Sequence, residues 1–154
     1  MKVYKTPSAI IMLLMRECGG RKQILLQRRQ NTGFADGLWD FSSAGKVEEG
    51  ETMTQAAVRE AKEELGITVA VEDLHFAVLV HKCDKSCNLI YYNAYFICAD
   101  YKGEPHICEP EKCSEIKWFD MNVLPDDLID DRKRALEAYL NGVHYLEYGW
   151  NYGV

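Results

Sequence analysis

The chain has 154 residues, of which 47% are hydrophobic, and this length and composition predict one domain, residues 1–154, with an ordinary core. The formal net charge of -6, from 24 acidic and 18 basic residues, argues against a general nucleic-acid-binding surface. No apolar run approaches the roughly 18 residues that a membrane-spanning helix needs. We therefore expect no nucleic-acid or membrane partner and a cytoplasmic location.

Six cysteines are spread along the chain: Cys18, Cys83, Cys87, Cys98, Cys108 and Cys113. We expect reduced thiols, because no secretion signal is recognisable and neither closely spaced pair forms the CxxC of a zinc knuckle. Residues 9–15 have the length of a signal-peptide core. No small-residue cleavage site follows them, so we predict a buried strand there instead.

The N-terminal third predicts a hairpin followed by a third strand. We expect strands over residues 8–15 and 23–28, joined by a glycine-containing turn, and then a polar loop over residues 31–37. Residues 38–43 alternate apolar and polar side chains, which indicates a short strand leading into Gly45.

A helix is predicted after the loop over residues 47–51. Thr52 can cap it, with Gln55 as its partner in a capping box, and Gly66 can end it. Apolar residues that recur every four positions predict a buried stripe on this helix. They are Met53, Ala57, Ala61 and Leu65.

The second half predicts two long strands, a loop, a short strand and a final helix. The predicted ranges are 74–81 and 89–99 for the long strands, 103–113 for the loop, 115–119 for the short strand and 128–141 for the helix. This order predicts an α+β fold in which a mixed sheet lies between helices, an α/β/α sandwich. The aromatic tail, residues 145–154, can either contribute to a homodimer interface or pack on its own domain.

An acidic cluster stands out in the predicted first helix. Glu60, Glu63 and Glu64 lie at spacings that share one helix face, where like charges repel. A hard divalent cation, Mg²⁺ or Mn²⁺, would turn that repulsion into a ligand set, since both ions prefer carboxylate oxygen. The alternative is a solvated acidic face, which would not explain Gly45 and Glu51 at their offsets before the cluster.

The full pattern covers 23 residues, 45–67. Gly45 is followed after five residues by Glu51, and Arg59-Glu60 comes seven residues later. Ala61, one further residue, Glu63-Glu64, one further residue, Gly66 and Ile67 complete the pattern. It resembles the Nudix box of the Nudix hydrolase superfamily at every defined position, and the predicted order of elements is also similar to the Nudix fold.

The resemblance implies a reaction and roles for the residues of the motif. Water would attack phosphorus and split a nucleoside diphosphate linked to another group, with Mg²⁺ or Mn²⁺ bound against the diphosphate. Glu60 and Glu64 would be the principal metal ligands, and the Gly45 carbonyl would complete the metal shell. Glu63 would be a further ligand or the base that activates water.

Two further assignments follow from the same resemblance. Arg59 and Glu51 would form a buried structural ion pair that fixes the loop against the helix. Some family members use a base outside the motif, and Glu109 or Glu111 can serve in that way here. The alternative for both is a solvated loop position.

Other residues are candidates for binding the parts of the substrate that lie outside the metal-bound diphosphate. Arg28 or Arg29 can reach a phosphate, although an exposed charge pair is an equally simple explanation. Trp39 can stack on a base, although core packing also explains it. Asp130 and Asp131 favour the dipole of the last helix, and an aspartate pair near this point binds the purine in relatives that remove oxidised nucleotides.

The short chain and the form of the motif are similar to the MutT-like, nucleoside-triphosphate members of the superfamily. We therefore expect a (d)NTP pyrophosphohydrolase, with oxidised purine nucleotides among its candidate substrates. One alternative is a hydrolase of ADP-ribose or of another sugar-linked or non-nucleotide diphosphate. A second is a catalytically silent, nucleotide-sensing module, against which the complete set of motif carboxylates argues.

Overall fold

The computed structural model describes residues 1–85 and 88–150. Within these ranges the chain forms eight strands, two α-helices and a short 3-10 helix, Val71–Asp73. The strands are β1 (Ser8–Cys18), β2 (Arg21–Arg29), β3 (Trp39–Phe41), β4 (Ser43–Lys46), β5 (Leu74–Asp84), β6 (Leu89–Cys98), β7 (Cys113–Asp120) and β8 (Tyr145–Tyr148). The helices are α1 (Met53–Leu65) and α2 (Asp130–Leu140).

Strand β1 is the centre of a mixed sheet. It pairs in parallel with β6 through residues 8–14, and β5 and β8 continue the sheet beyond β6. Its other edge is shared, since β4 pairs with residues 9–12 and β2 with residues 15–18. A central strand covered on both faces is apolar at successive positions, and Ile10 to Leu14 are all buried.

The two helices cover opposite faces of this sheet. Successive side chains of a strand point to opposite faces, so Ile11 and Leu13 pack in one core cluster with Leu136 of α2. Met12 and Leu14 pack in another cluster with Leu65 of α1. The predicted α+β fold, a mixed sheet between helices, is therefore confirmed.

Helix α1 begins and ends as its sequence predicts. The Gln55 amide N–H donates to the Thr52 hydroxyl at 3.2 Å, and the Gln55 side-chain oxygen accepts from the Thr52 amide at 2.9 Å. Gly66 adopts the left-handed conformation, with φ of 69°, that ends many helices. Both ends of α1 are thus set locally, which fixes where its glutamates lie along the helix.

Several boundaries differ from the predicted ones, and two of these differences change the description of the fold. Residues 38–43 contribute to two strands, β3 and β4, because the chain crosses there from the edge of β2 to the edge of β1. Asp40, Ser42 and Ser43 are fully buried at this crossing, where strict alternation would have exposed polar side chains. Helix α2 begins at Asp130 rather than at Leu128, since the preceding backbone is extended.

The described part of the tail packs on its own domain. Strand β8, which the sequence did not predict, adds to β5 in parallel, and the Trp150 indole N–H donates to the His81 carbonyl at 2.9 Å. Residues 151–154 and Cys87 lie outside the described residues. The described cysteines are free thiols.

Neither α-helix in the described residues is long and apolar enough to cross a membrane.

Replacing the cap residue of α1 tests the local definition of this helix. We expect Thr52→Ala to lower the free energy of unfolding by about 1 kcal/mol, because two backbone groups lose their capping-box partners. Urea denaturation measures the change. Thr68→Ala, at an exposed threonine outside any helix, is the matched control. Equal stability of the two variants would contradict the cap.

Candidate active site

The start of the motif loop lies directly against helix α1. Gly45 is in β4, and a Cβ atom added there would overlap the Glu60 carboxyl group. The Ala44 amide donates to the Glu64 carboxylate at 3.2 Å. Only glycine allows this approach, so the structure brings together Gly45, Glu60 and Glu64, three of the four predicted metal-site residues.

The two carboxyl groups are unfavourable as a pair of bare charges. Burial raises the pKa of Glu60, and burial together with the charge of Glu60 raises the pKa of Glu64 well above its usual range. The pair is close enough to share a hydrogen bond. Such a pair favours a bound cation, and the Arg59 guanidinium already supplies positive charge to Glu60 at 2.8 Å.

A buried hydroxyl lies beside this pair. The Ser43 hydroxyl has no hydrogen-bond partner of ordinary geometry in the described residues. It is still near enough to the Glu64 carboxylate to lower its pKa slightly, against the larger effect of burial. A buried polar atom without a partner is unusual and points to a missing bound group.

Arg59 binds the carboxylates around it. Its guanidinium donates to both oxygens of Glu51, at 2.7 and 3.1 Å, and to Glu60 at 2.8 Å. These hydrogen bonds lower the pKa of Glu51 and raise that of Arg59. Arg59 also donates to the Lys46 carbonyl at 3.1 Å. The ion pair therefore joins the loop before α1 to the helix itself.

Glu63 lies apart from the other two glutamates. Its side chain is 54% exposed and accepts from Arg59 at 3.3 Å. In residues 1–85 and 88–150, accordingly, no three histidine, cysteine or acidic side chains converge as a ready-made metal cluster. Glu60 and Glu64 still offer hard oxygen donors beside a glycine carbonyl, a set that suits Mg²⁺ or Mn²⁺.

A cavity of about 460 Å³ adjoins Gly45. Cationic side chains line it, together with an aromatic ring and a buried amide. They are Arg29, Lys46, Lys82 and Arg132, with Phe34 and Asn93, and the acidic Asp84 also lines the cavity. A cavity with several cations beside a carboxylate pair can bind an anionic molecule while the carboxylates bind a cation.

Buried ion pairs hold three of these cations, Arg29, Lys82 and Arg132, in place. Asp40 accepts from Arg132 at 2.7 Å and from Arg29 at 2.9 Å, and Asp131 pairs with Lys82 at 3.2 Å. Burial alone would raise the pKa of Asp40, but the two guanidinium groups outweigh it and lower that pKa. The Phe34 ring covers the group, with its centroid 4.6 Å from the Lys82 ammonium.

Sequence reasoning missed several of these residues. Asp40 falls at a polar position of the alternating residues 38–43, and the sequence pattern assigned no role to Lys82 or Arg132. The available signal was Asp40 itself, a charged residue between the apolar Trp39 and Phe41 of a short strand. Its partners are up to 92 positions away in sequence, so pattern reasoning could not find them.

The predicted substrate residues fall in different places. Arg29 lines the cavity, whereas Arg28 lies over the Trp39 ring and pairs with Asp127 at 3.2 Å. Trp39 is only 3% exposed and packs against Phe119 in the core. It therefore does not line the cavity.

The two aspartates at the start of α2 border a neighbouring cavity of about 430 Å³. Asp131 is buried between Lys82 and Arg132, and Asp130 accepts from the Tyr148 hydroxyl at 2.6 Å. Both carboxylates are therefore already engaged with side chains of the chain itself.

Glu109 and Glu111, the predicted general bases outside the motif, lie on a loop that is hydrogen-bonded to the end of α1. The Cys108 amide donates to the Glu64 carbonyl at 3.2 Å, which brings the loop close to the motif. Glu109 is half-buried and pairs with Lys112 at 3.6 Å, while Glu111 is exposed. Neither carboxylate lines the cavity beside Gly45.

The Arg59–Glu51 pair can be tested through stability. We expect Glu51→Gln to lower the melting temperature more than it lowers turnover per folded molecule, because its charge fixes the loop and does not face the cavity. Differential scanning calorimetry and rates at saturating substrate separate the two effects. Glu49→Gln, at an exposed neighbour, is the control. A rate loss with unchanged melting would contradict the structural role.

Asp40 allows a test with a defined pH dependence. We expect Asp40→Asn to lower the free energy of unfolding at pH 7 by about 3–5 kcal/mol, because two buried cations lose their counter-charge. The lowered pKa of Asp40 means that its contribution is complete above the unfolded pKa of about 3.9 and is lost at lower pH. The gap to wild type should therefore be constant between about pH 5 and 7 and narrow below about pH 4. Denaturant titrations check this, with exposed Asp126 changed to Asn as control.

Comparison with known proteins agrees with this geometry. The family model for the NUDIX domain matches residues 5–139. The chain is 37% identical over 143 residues to CTP pyrophosphohydrolase of Escherichia coli (strain K12), covering 91% of this chain and 93% of that protein. The MutT NUDIX hydrolase from Burkholderia pseudomallei is structurally similar, with a TM-score of 0.75 and 26% identity over 87% of this chain and 98% of that one.

A shorter match is higher in identity. The chain is 44% identical to dihydroneopterin triphosphate diphosphatase of Escherichia coli (strain K12) over 73 residues, and these residues make up 47% of this chain. That match spans about half of the relative, 45% of its length, so it carries no whole-protein activity to this chain. Taken with the family match over residues 5–139, these similarities show that the chain belongs to the NUDIX domain family.

Proposed function

We propose that this chain is a divalent-metal-dependent (d)NTP pyrophosphohydrolase that releases a nucleoside monophosphate and pyrophosphate. The observation that carries the proposal is the Glu60–Glu64 pair beside Gly45, at the edge of a cavity of about 460 Å³ lined by four cationic side chains. The names of two relatives, a CTP pyrophosphohydrolase and a dihydroneopterin triphosphate diphosphatase, support a triphosphate substrate.

In this proposal Glu60, Glu64 and the Gly45 carbonyl hold Mg²⁺ or Mn²⁺. When bound, the cation supplies charge for the phosphate oxygens and lowers the pKa of coordinated water. Glu63 lies one turn away from Glu60 on α1 and accepts from Arg59 at 3.3 Å, and its exposed carboxylate would accept a proton from the attacking water. Arg59 keeps Glu60 in place through the hydrogen bond at 2.8 Å.

The cationic side of the cavity receives the rest of the substrate. Arg29 lies beside the cavity and offers guanidinium donors that suit phosphate oxygens. The buried pairs with Asp40 and Asp131 hold the cations in fixed positions, which limits the ordering cost of binding. We propose one domain for residues 1–154, a small-molecule diphosphate as partner and a cytoplasmic location; the homodimer stays a prediction.

Two other substrate classes remain as alternatives to a standard (d)NTP. Oxidised purine nucleotides were expected to use Asp130 and Asp131, and these would first have to leave Tyr148 and Lys82. ADP-ribose, another sugar-linked or a non-nucleotide diphosphate would use the same Glu60–Glu64 pair, and a silent module would bind a nucleotide without turnover. Product analysis over a panel of these compounds with Mg²⁺ or Mn²⁺ distinguishes them.

Removing one charge of the carboxylate pair tests the proposal most directly. We expect Glu64→Gln to lower kcat by about 10²-fold or more, because the cation loses a charged ligand at the reacting phosphate. Calorimetric titration with Mn²⁺ should show weaker uptake. The fold should persist, since the raised pKa of Glu64 means that a neutral side chain is tolerated there.

Glu72→Gln, at an exposed glutamate outside the motif, is the control and should keep the wild-type rate. Wild-type turnover and Mn²⁺ uptake by Glu64→Gln would remove Glu64 from the metal site. Release of inorganic phosphate alone, rather than pyrophosphate with a monophosphate, would contradict the proposed reaction.

A further inference from the structure

A buried side-chain amide lines the cavity beside Gly45. Asn93 lies in β6, is only 5% exposed and lines the cavity of about 460 Å³. Its side-chain amide makes no hydrogen bond to any described residue. Buried polar side chains in proteins almost always have partners, so an amide left open towards a cavity indicates a ligand that supplies them.

The neighbouring buried polar groups do have partners. Asp40 is paired with Arg132 and Arg29, and Asp131 with Lys82. Gln27 donates to the Phe41 carbonyl at 3.0 Å. The missing partner of Asn93 is therefore not a general feature of this core. An apolar side chain would fill a central strand position such as Asn93 more favourably.

The sheet register places Asn93 at a defined distance from the metal site. Asn93 is opposite Ala9 on β1, and the next residue of β1, Ile10, is opposite Gly45 on β4. Gly45 and Asn93 therefore flank one strand, about 10 Å apart by the usual strand spacing. Gly45 and Asn93 both line the cavity, so a nucleoside with its phosphates at Gly45, which spans a similar length, can reach Asn93 with its base through the cavity.

The walls between these two ends suit a flat ring. Ile11 and Ala44 line the cavity from the sheet, and Phe34 and Tyr91 add aromatic side chains. Apolar walls with one or two convergent polar groups are typical of sites that bind a planar heterocycle. Asn93 offers one acceptor and two donors, which match a ring edge carrying a donor next to an acceptor.

We propose that Asn93 is a specificity-determining residue that hydrogen-bonds the edge of the substrate's base. The inference rests on the proposed nucleotide function and adds the residue that distinguishes one base from another. Asn93 would act in binding and selection, and would not touch the reacting phosphorus.

Two substitutions test different parts of this inference. Asn93→Asp keeps an acceptor and loses the donors, and Asn93→Val removes both while keeping a side chain suited to a strand. Asn122→Asp makes the same chemical change at an exposed position away from the cavity. For each variant, kcat and KM are measured for ATP, GTP, CTP and UTP with Mg²⁺, and melting temperature verifies folding.

We expect Asn93→Asp to change the order of preference among the four bases, and Asn93→Val to raise KM for the preferred nucleotide by on the order of tenfold. Asn122→Asp should match wild type. A purely structural role would lower all rates together and would leave the order of the bases unchanged. Unchanged KM and unchanged order in both Asn93 variants would overturn the inference.

If the proposed triphosphatase activity is wrong, the experiment gives a result that differs from failure of the Asn93 inference. If wild type hydrolyses none of the four nucleotides, the triphosphatase proposal fails, and calorimetric binding of the four nucleoside monophosphates without metal decides the role of Asn93. Binding by wild type that Asn93→Val abolishes would support the role. Absence of binding by wild type, or equal binding by the variant, would overturn it.

Discussion

The structure depends on two buried carboxyl groups that lie against each other. Glu60 and Glu64 are one turn apart on α1, and both have raised pKa values because the protein removes them from water. A helix that carries such a pair is destabilised unless a positive charge is nearby. Arg59 supplies part of that charge through Glu60, and a divalent cation would supply the rest.

Several local features exist to hold this pair in position. Gly45 lacks the Cβ that would collide with Glu60, and the Ala44 amide binds Glu64. The ion pair of Arg59 with Glu51 joins the preceding loop to the helix. Since the capping box fixes where α1 starts, it also fixes the turn of the helix from which Glu60 and Glu64 face β4. Local sequence therefore controls the geometry of a site formed by residues up to 20 positions apart.

The sequence predicted these local features well and the long-range ones poorly. The capping box, Gly66 and the order of the long strands follow from spacing, because their partners are a few residues away. The buried pair of Asp40 with Arg132 joins residues 92 positions apart, and no periodicity reports such a contact. The same limit explains β8, whose pairing with β5 depends on how the chain returns to the sheet. It also explains Glu63, which shares a motif with Glu60 but turns towards Arg59.

Three incompletely paired polar groups of the described residues lie near Gly45 or in the cavity that it lines. Ser43 has a buried hydroxyl without a partner, Glu64 a carboxyl with too little compensating charge, and Asn93 an open amide. The buried charges of Asp40 and Asp131, by contrast, are paired with cations that line the cavity. Each uncompensated group costs stability in the free protein, and a compact fold has no reason to collect them in one place. A ligand that brings a cation to Glu64 and a hydrogen-bonding ring edge to Asn93 would satisfy both groups together, which is what the proposed function requires.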